Sequence, residues 1–227
     1  MSIWSRIADA LAALAQGESL SEIFEKLRTP PERSVAFTIA VISLGAKMAK
    51  ADGQVTRDEV MAFREIFHIG EAERAQAAHV FNLARQDVAG FELYARRIAA
   101  MFRDDPHTLE NLMEGLFHIA MADGEYHELE NAFLKVVAEE FGQSDMTFRA
   151  LRARYVPGVE ADPYTVLGVP PDMAYEDIRA HWRTLVRETH PDAMMARGVP
   201  EEAIKLATTR LTAINKAWEE IRTRAPA

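Results

Sequence analysis

The sequence predicts an all-α protein built in two helical parts, and three observations carry that prediction. Glycine (11) and proline (10) are sparse among 227 residues, while Ala, Glu, Arg and Leu dominate, a composition that favours helices. Apolar residues recur at three- and four-residue spacing along most of the chain, and no run shows the strict alternation of a half-buried strand. A helix–turn–helix pattern also occurs twice, 71 residues apart, as expected of an internally duplicated bundle.

The bulk numbers bound the function. Hydrophobic residues make up 48% of the chain, enough to bury a core and exclude wholesale disorder. Cysteine is absent, which removes disulfides, thiolate metal sites and cysteine nucleophiles and fits a reducing compartment. Up to Glu160 there are 17 Lys+Arg against 25 Asp+Glu; from Ala161 onward there are 9 against 10. An acidic first part argues against nucleic acid, whose phosphates need basic partners. The start MSIWSRIADALAALAQGE lacks the basic leader and long apolar core of a secretory signal. The most apolar stretch, Val35 to Ala49, contains Lys47 and falls short of the roughly 20 residues that a bilayer span needs. These features predict a cytoplasmic protein for which membrane association is not expected.

Residues 1–33 form an N-terminal segment whose Ile3, Trp4, Ile7, Leu11 and Leu14 have the spacing of a short amphipathic helix over 3–15. It is almost uncharged, whereas helices that lie on membranes usually carry Lys and Arg on the polar face. Packing on the domain core is therefore the expected role. Thr29-Pro30-Pro31-Glu32 breaks the chain and opens the next helix.

Residues 34–155 are helical in period throughout. The repeat sets AKADGQVTRDE over AMADGEYHELE, so that Ala49, Ala51, Asp52, Gly53 and Glu59 coincide with Ala120, Ala122, Asp123, Gly124 and Glu130. Asp can hold free backbone N–H groups at a helix boundary and Gly can take a positive φ, which explains the turn. Thr56 and Glu59 have capping-box spacing; the second copy has His127 in place of Thr and keeps only Glu130. A second reading gives Asp52, Glu59, Asp123 and Glu130 a hard cation, although an EF-hand loop would need further ligands. The repeated A-D-G-x(5)-E resembles the TerB-like, tellurite-resistance-associated helical domain over residues 34–150. That resemblance implies an all-helical fold that binds other proteins or ions.

Residues 156–161, Val156-Pro157-Gly158-Val159-Glu160-Ala161, read as a linker at the change in charge balance. Beyond it, Tyr164 to Leu167 form a short apolar turn closed by Gly168, and Pro170-Pro171-Asp172 interrupt the chain. A helix is predicted from about Tyr175 to Thr189, with Ile178, Trp182, Leu185 and Val186 as its apolar stripe. Arg179, Arg183 and Arg187 recur every four residues and so form one basic stripe. The helix should stop at His190-Pro191-Asp192, because Pro191 lacks an N–H and pushes His190 out of the α region. A loop over 193–199, carrying Met194 and Met195 against the tryptophans, should lead to a last helix. There Ile204, Ala207, Leu211, Ile214, Trp218 and Ile221 form the seam of two helices packed side by side. Trp182 and Trp218 would be the centre of this hairpin, with the His-Pro-Asp tripeptide at its tip.

Over residues 162–227 the tail resembles the J domain of DnaJ-type co-chaperones. The match includes Y-x-x-L-G-V, I-R-x-x-W-R-x-L, H-P-D and I-N-x-A-W-x-x-I in the right order. With a TerB-like part in front and ARGVPEE after the tripeptide, it is similar to the DjlA branch, whose members carry an N-terminal membrane segment that is not expected here. The resemblance implies a co-chaperone that stimulates ATP hydrolysis by a DnaK-type heat-shock chaperone. His190, Pro191 and Asp192 would engage that partner, and Arg179, Arg183 and Arg187 would face an acidic surface on it. The TerB-like part would recruit a client or partner. Thr189, Ala193 and Glu188 depart from the family pattern, which often has an aromatic residue before the tripeptide and Lys after it. No Walker loop or G-x-G-x-x-G is present, so neither an enzyme nor a cofactor is expected. The alternative function is a stress-response adaptor whose TerB-like part binds a metal ion or a protein complex.

Overall fold

The computed structural model describes residues 32–51, 90–156, 162–196 and 201–224, together with the isolated positions 13 and 61. The predicted helix over 3–15, the first-copy turn with Asp52, Thr56 and Glu59, and residues 157–161 of the linker lie outside the described residues. All regular structure among the described residues is α-helical. The chain divides into two compact units, residues 1–142 and 143–227.

In the first unit, α1 (Glu32–Ala51), α2 (Phe91–Met101), α3 (Pro106–Ala120) and α4 (Glu128–Glu140) pack on one another. Helix α3 is the central element, because Leu109, Leu112, Met113, Leu116, Phe117 and Ile119 bury nearly its whole circumference. Its start is encoded locally: Asp105 accepts from the Thr108 N–H at 3.2 Å and from the Thr108 hydroxyl at 2.7 Å, and Pro106 takes the first helical position. At Gly45 helix α1 approaches α3 so closely that a Cβ would stand 3.3 Å from Ile119 Cδ1. Lys47 is buried with its ammonium 4.4 Å from the centre of the Tyr94 ring, a cation–π contact between α1 and α2.

The second copy of the repeat behaves as the turn chemistry requires. Gly124 adopts φ +85°, Asp123 accepts the Glu125 N–H at 3.0 Å, and Glu130 accepts the His127 N–H at 2.9 Å. Leu134 and Val137, the repeat partners of Phe63 and Ile66, are fully buried. Asp123 and Glu130 are thus both engaged by the turn and the cap, and no group of three His, Asp or Glu side chains among the described residues is placed to hold a metal.

The second unit holds α5 (Asp145–Tyr155), α6 (Pro163–Leu167), α7 (Tyr175–Thr189), α8 (Pro191–Ala196) and α9 (Glu201–Arg224). Asp162 caps α6 through the Thr165 N–H and hydroxyl, both at 3.1 Å, and Gly168 ends it with φ +72°. Helices α7 and α9 pack along each other around Ile178, Ile214, Ala217, Trp218 and Ile221. Trp182, Leu185 and Val186 from the predicted stripe are only half-buried; Ile178 alone is fully enclosed. The Trp182 and Trp218 rings stack with centroids 4.9 Å apart and an 11° interplanar angle, and Trp182 Nε1–H donates to Asn215 Oδ1 at 3.1 Å. His181 Nε2 meets the Leu167 carbonyl at 3.0 Å and ties α7 to the end of α6.

The division between units falls after Gly142, one helix earlier than the sequence linker. Helix α5 joins the second unit for a physical reason. Ala153 belongs to the same buried cluster as Leu167 and Trp218, Arg154 Nε–H donates to the Val166 carbonyl at 3.0 Å, and Ala150 lies against Gly168. Replacing Ala153 by Glu puts an uncompensated carboxylate into that cluster. It should cost the second unit about 3 kcal/mol, measured by denaturant unfolding followed through Trp182 and Trp218 fluorescence in a Trp4→Phe background. Unchanged stability would mean that α5 is not part of this core.

Candidate chaperone-docking site

The His190-Pro191-Asp192 tripeptide sits where α7 passes into α8. His190 ends α7 with φ −60° and ψ 131°, the extended geometry imposed on a residue before proline. The sequence expectation of a loop over 193–199 is corrected here: α8 begins at Pro191 and runs to Ala196. Proline is preorganised for a first helical position, where its missing N–H costs nothing, and Asp192 in the first turn favours the helix start. Residues 197–200 lie outside the described ones.

Both polar side chains of the tripeptide face solvent, His190 at 52% and Asp192 at 80% side-chain exposure. They also interact with each other. The Asp192 backbone N–H donates to His190 Nδ1 at 3.3 Å, and the Asp192 carboxylate lies 3.7 Å from the same nitrogen. The junction therefore presents an imidazole and a carboxylate side by side to solvent.

Arg179, Arg183 and Arg187 all stand on α7. At four-residue intervals the stripe drifts by about 40° per step, so the three remain on one side of the helix. Arg179 pairs with Glu176 at 3.6 Å, while Arg183 and Arg187 are exposed and have no ion-pair partner among the described residues. The positions that depart from the family pattern fall in different places. Thr189 is buried, Ala193 half-buried and Glu188 exposed. The expected placement of Met194 and Met195 against the tryptophans is also corrected. Met194 is buried but lies outside the tryptophan cluster, beside Arg210, and Met195 is exposed.

The sequence pattern does not single out Arg210 or the burial of Met194 beside it. Arg210 is buried, and its Nη2 reaches Met194 Sδ at 3.9 Å. The available signal was the position of Met194 three residues into a helix opened by proline.

Two family models match the chain. The model for tellurite resistance protein TerB covers residues 38–153, and the DnaJ domain model covers residues 162–224. The chain belongs to the DjlA-like J-domain proteins that carry a TerB-like domain. Curated relatives named co-chaperone protein DjlA agree across bacteria. The Coxiella burnetii protein is 29% identical over 77% of this chain and 72% of its own length. The Photobacterium profundum protein is 26% identical over 84% and 78%, and that of Escherichia coli K12 is 24% identical over 98% of each. No solved structure matches the chain. The TerB match runs through residue 153, so α5 is the last helix of that match although it packs with the J domain.

No helix among the described residues is long and apolar enough to cross a membrane.

Proposed function

We propose that this DjlA-like protein is a co-chaperone whose J domain binds an ATP-loaded DnaK-type heat-shock chaperone and stimulates its ATP hydrolysis. The observation that carries this reading is the exposed pair His190 and Asp192 at the α7–α8 junction, with Pro191 between them and the guanidinium stripe of α7 beside them. An imidazole and a carboxylate a few ångströms apart suit recognition of one state of a partner. Acceleration then follows from tighter binding to the partner's hydrolysing state than to its resting state.

The chemistry remains the partner's. This chain supplies differential binding energy and no nucleotide site of its own. Arg179, Arg183 and Arg187 would meet an acidic surface, which raises the rate of encounter more than the final affinity. Because the partner consumes ATP, the protein would act in a compartment that holds it. The TerB-like domain would recruit the client or a second partner. A metal-binding adaptor gains no support from the described turn, where Asp123 and Glu130 already serve the backbone.

Single-turnover ATP hydrolysis by the cognate chaperone should rise several-fold with this protein and stay near its basal rate with His190→Gln. Equal rates for the two proteins would overturn the reading. The stimulation should also weaken with salt, since the screening length falls to about 10 Å at 0.1 M. Arg183→Ala should raise the half-saturating concentration and flatten that salt dependence. An unchanged salt profile would remove the basic stripe from the interface.

A further inference from the structure

We propose that Met194, seated against Arg210, is a positioning residue that holds His190 and Asp192 in their docking geometry. The proposal rests on the co-chaperone reading above and adds the part of the molecule that aims the tripeptide.

The tripeptide is exposed, yet the residues on either side of it are not. Thr189 is 3% exposed and Met194 is 1% exposed. An exposed turn gains order only from what anchors its ends, and these two side chains are its anchors. Met194 is linked to the tripeptide by the backbone: its N–H donates to the His190 carbonyl at 3.0 Å. That bond closes the first turn of α8 around Pro191 and Asp192. Where Met194 is fixed, the His190 carbonyl and the Asp192 N–H are fixed with it, and the latter holds the imidazole through Nδ1.

What fixes Met194 is α9. Helix α8 packs on α9, and Arg210 brings its Nη2 to 3.9 Å from the Met194 sulfur. A flexible thioether fills irregular space beside a buried guanidinium, and that filled volume seats Met194 on α9. Met195, the next residue, is exposed and lacks this contact, so the role belongs to one methionine of the pair.

Loss of the anchor should appear as an ordering cost on binding. The test uses the full-length chain below its unfolding transition and compares Met194→Ala, Met194→Leu and Ile221→Ala. Ile221 is a buried residue of α9 eleven positions from Arg210, about 16 Å along the helix. It reports on general destabilisation. Met194→Ala should raise the half-saturating concentration for chaperone stimulation on the order of tenfold, the cost of about one ordered group, and leave the maximal rate unchanged. Met194→Leu, which restores the volume, should return it to within about twofold, and Ile221→Ala should leave it at the wild-type value. The proposal is overturned if Met194→Ala behaves like Ile221→Ala, or if Met194→Leu is as impaired as Met194→Ala. A second readout separates this proposal from the function on which it rests. The ¹⁵N heteronuclear NOE of the Asp192 amide should fall in Met194→Ala and hold in Ile221→Ala. If the wild-type protein fails to stimulate the chaperone, the co-chaperone reading falls, and the amide order still decides the anchoring.

Discussion

The second unit depends on the contact between Trp182 and Trp218. Two indole rings stacked at 4.9 Å lock α7 to α9, and the bond from Trp182 Nε1 to Asn215 fixes the register of the pair. Aromatic side chains bury large areas and stack with geometric preference, while the indole N–H needs a partner once it leaves water. Asn215 meets that need from the facing helix. Tyr175 extends the stack, with its ring 5.5 Å from Trp218. Once this contact sets the register of α7 against α9, the end of α7 and everything at the hairpin tip follow from it.

The tip is an economical device. A residue before proline must leave the helix, and proline is well suited to begin one. Two helices can therefore meet at one tripeptide without a loop between them. The side chains that meet solvent there are flanked by Thr189 and Met194, which do not. Under the proposed docking role, such flanking burial would reduce what must be frozen on binding.

Helix α5 shows how a sequence family and a folding unit can part company. The TerB match includes most of it, yet Ala153 and Ala150 lie against the J domain's first helix. Small side chains make the close approach affordable, and Arg154 satisfies a carbonyl at the end of α6. Nothing in the local sequence of α5 announces this, because alanines at three-residue spacing suit any packed helix. The linker reading at 156–161 relied on Pro, Gly and a change in charge, which mark a connection but not which core each flanking helix joins.

The sequence alone determined the all-α class, the turn at Asp123-Gly124, the bounds of α7 and the extended backbone at His190, because each is set by interactions within a few residues. It also determined that Arg179, Arg183 and Arg187 share a side of one helix, since helical period alone decides that. Only the tertiary structure decided that α5 packs with the J domain, that Trp182 is half-buried rather than enclosed, and that Met194 is buried beside Arg210 while Met195 is exposed. These depend on which distant surface arrives opposite a residue. Arg210 lies sixteen positions from Met194 in the chain, and no local pattern encodes that meeting. Burial is a property of the assembled core, and neither helical period nor proline chemistry carries information about it.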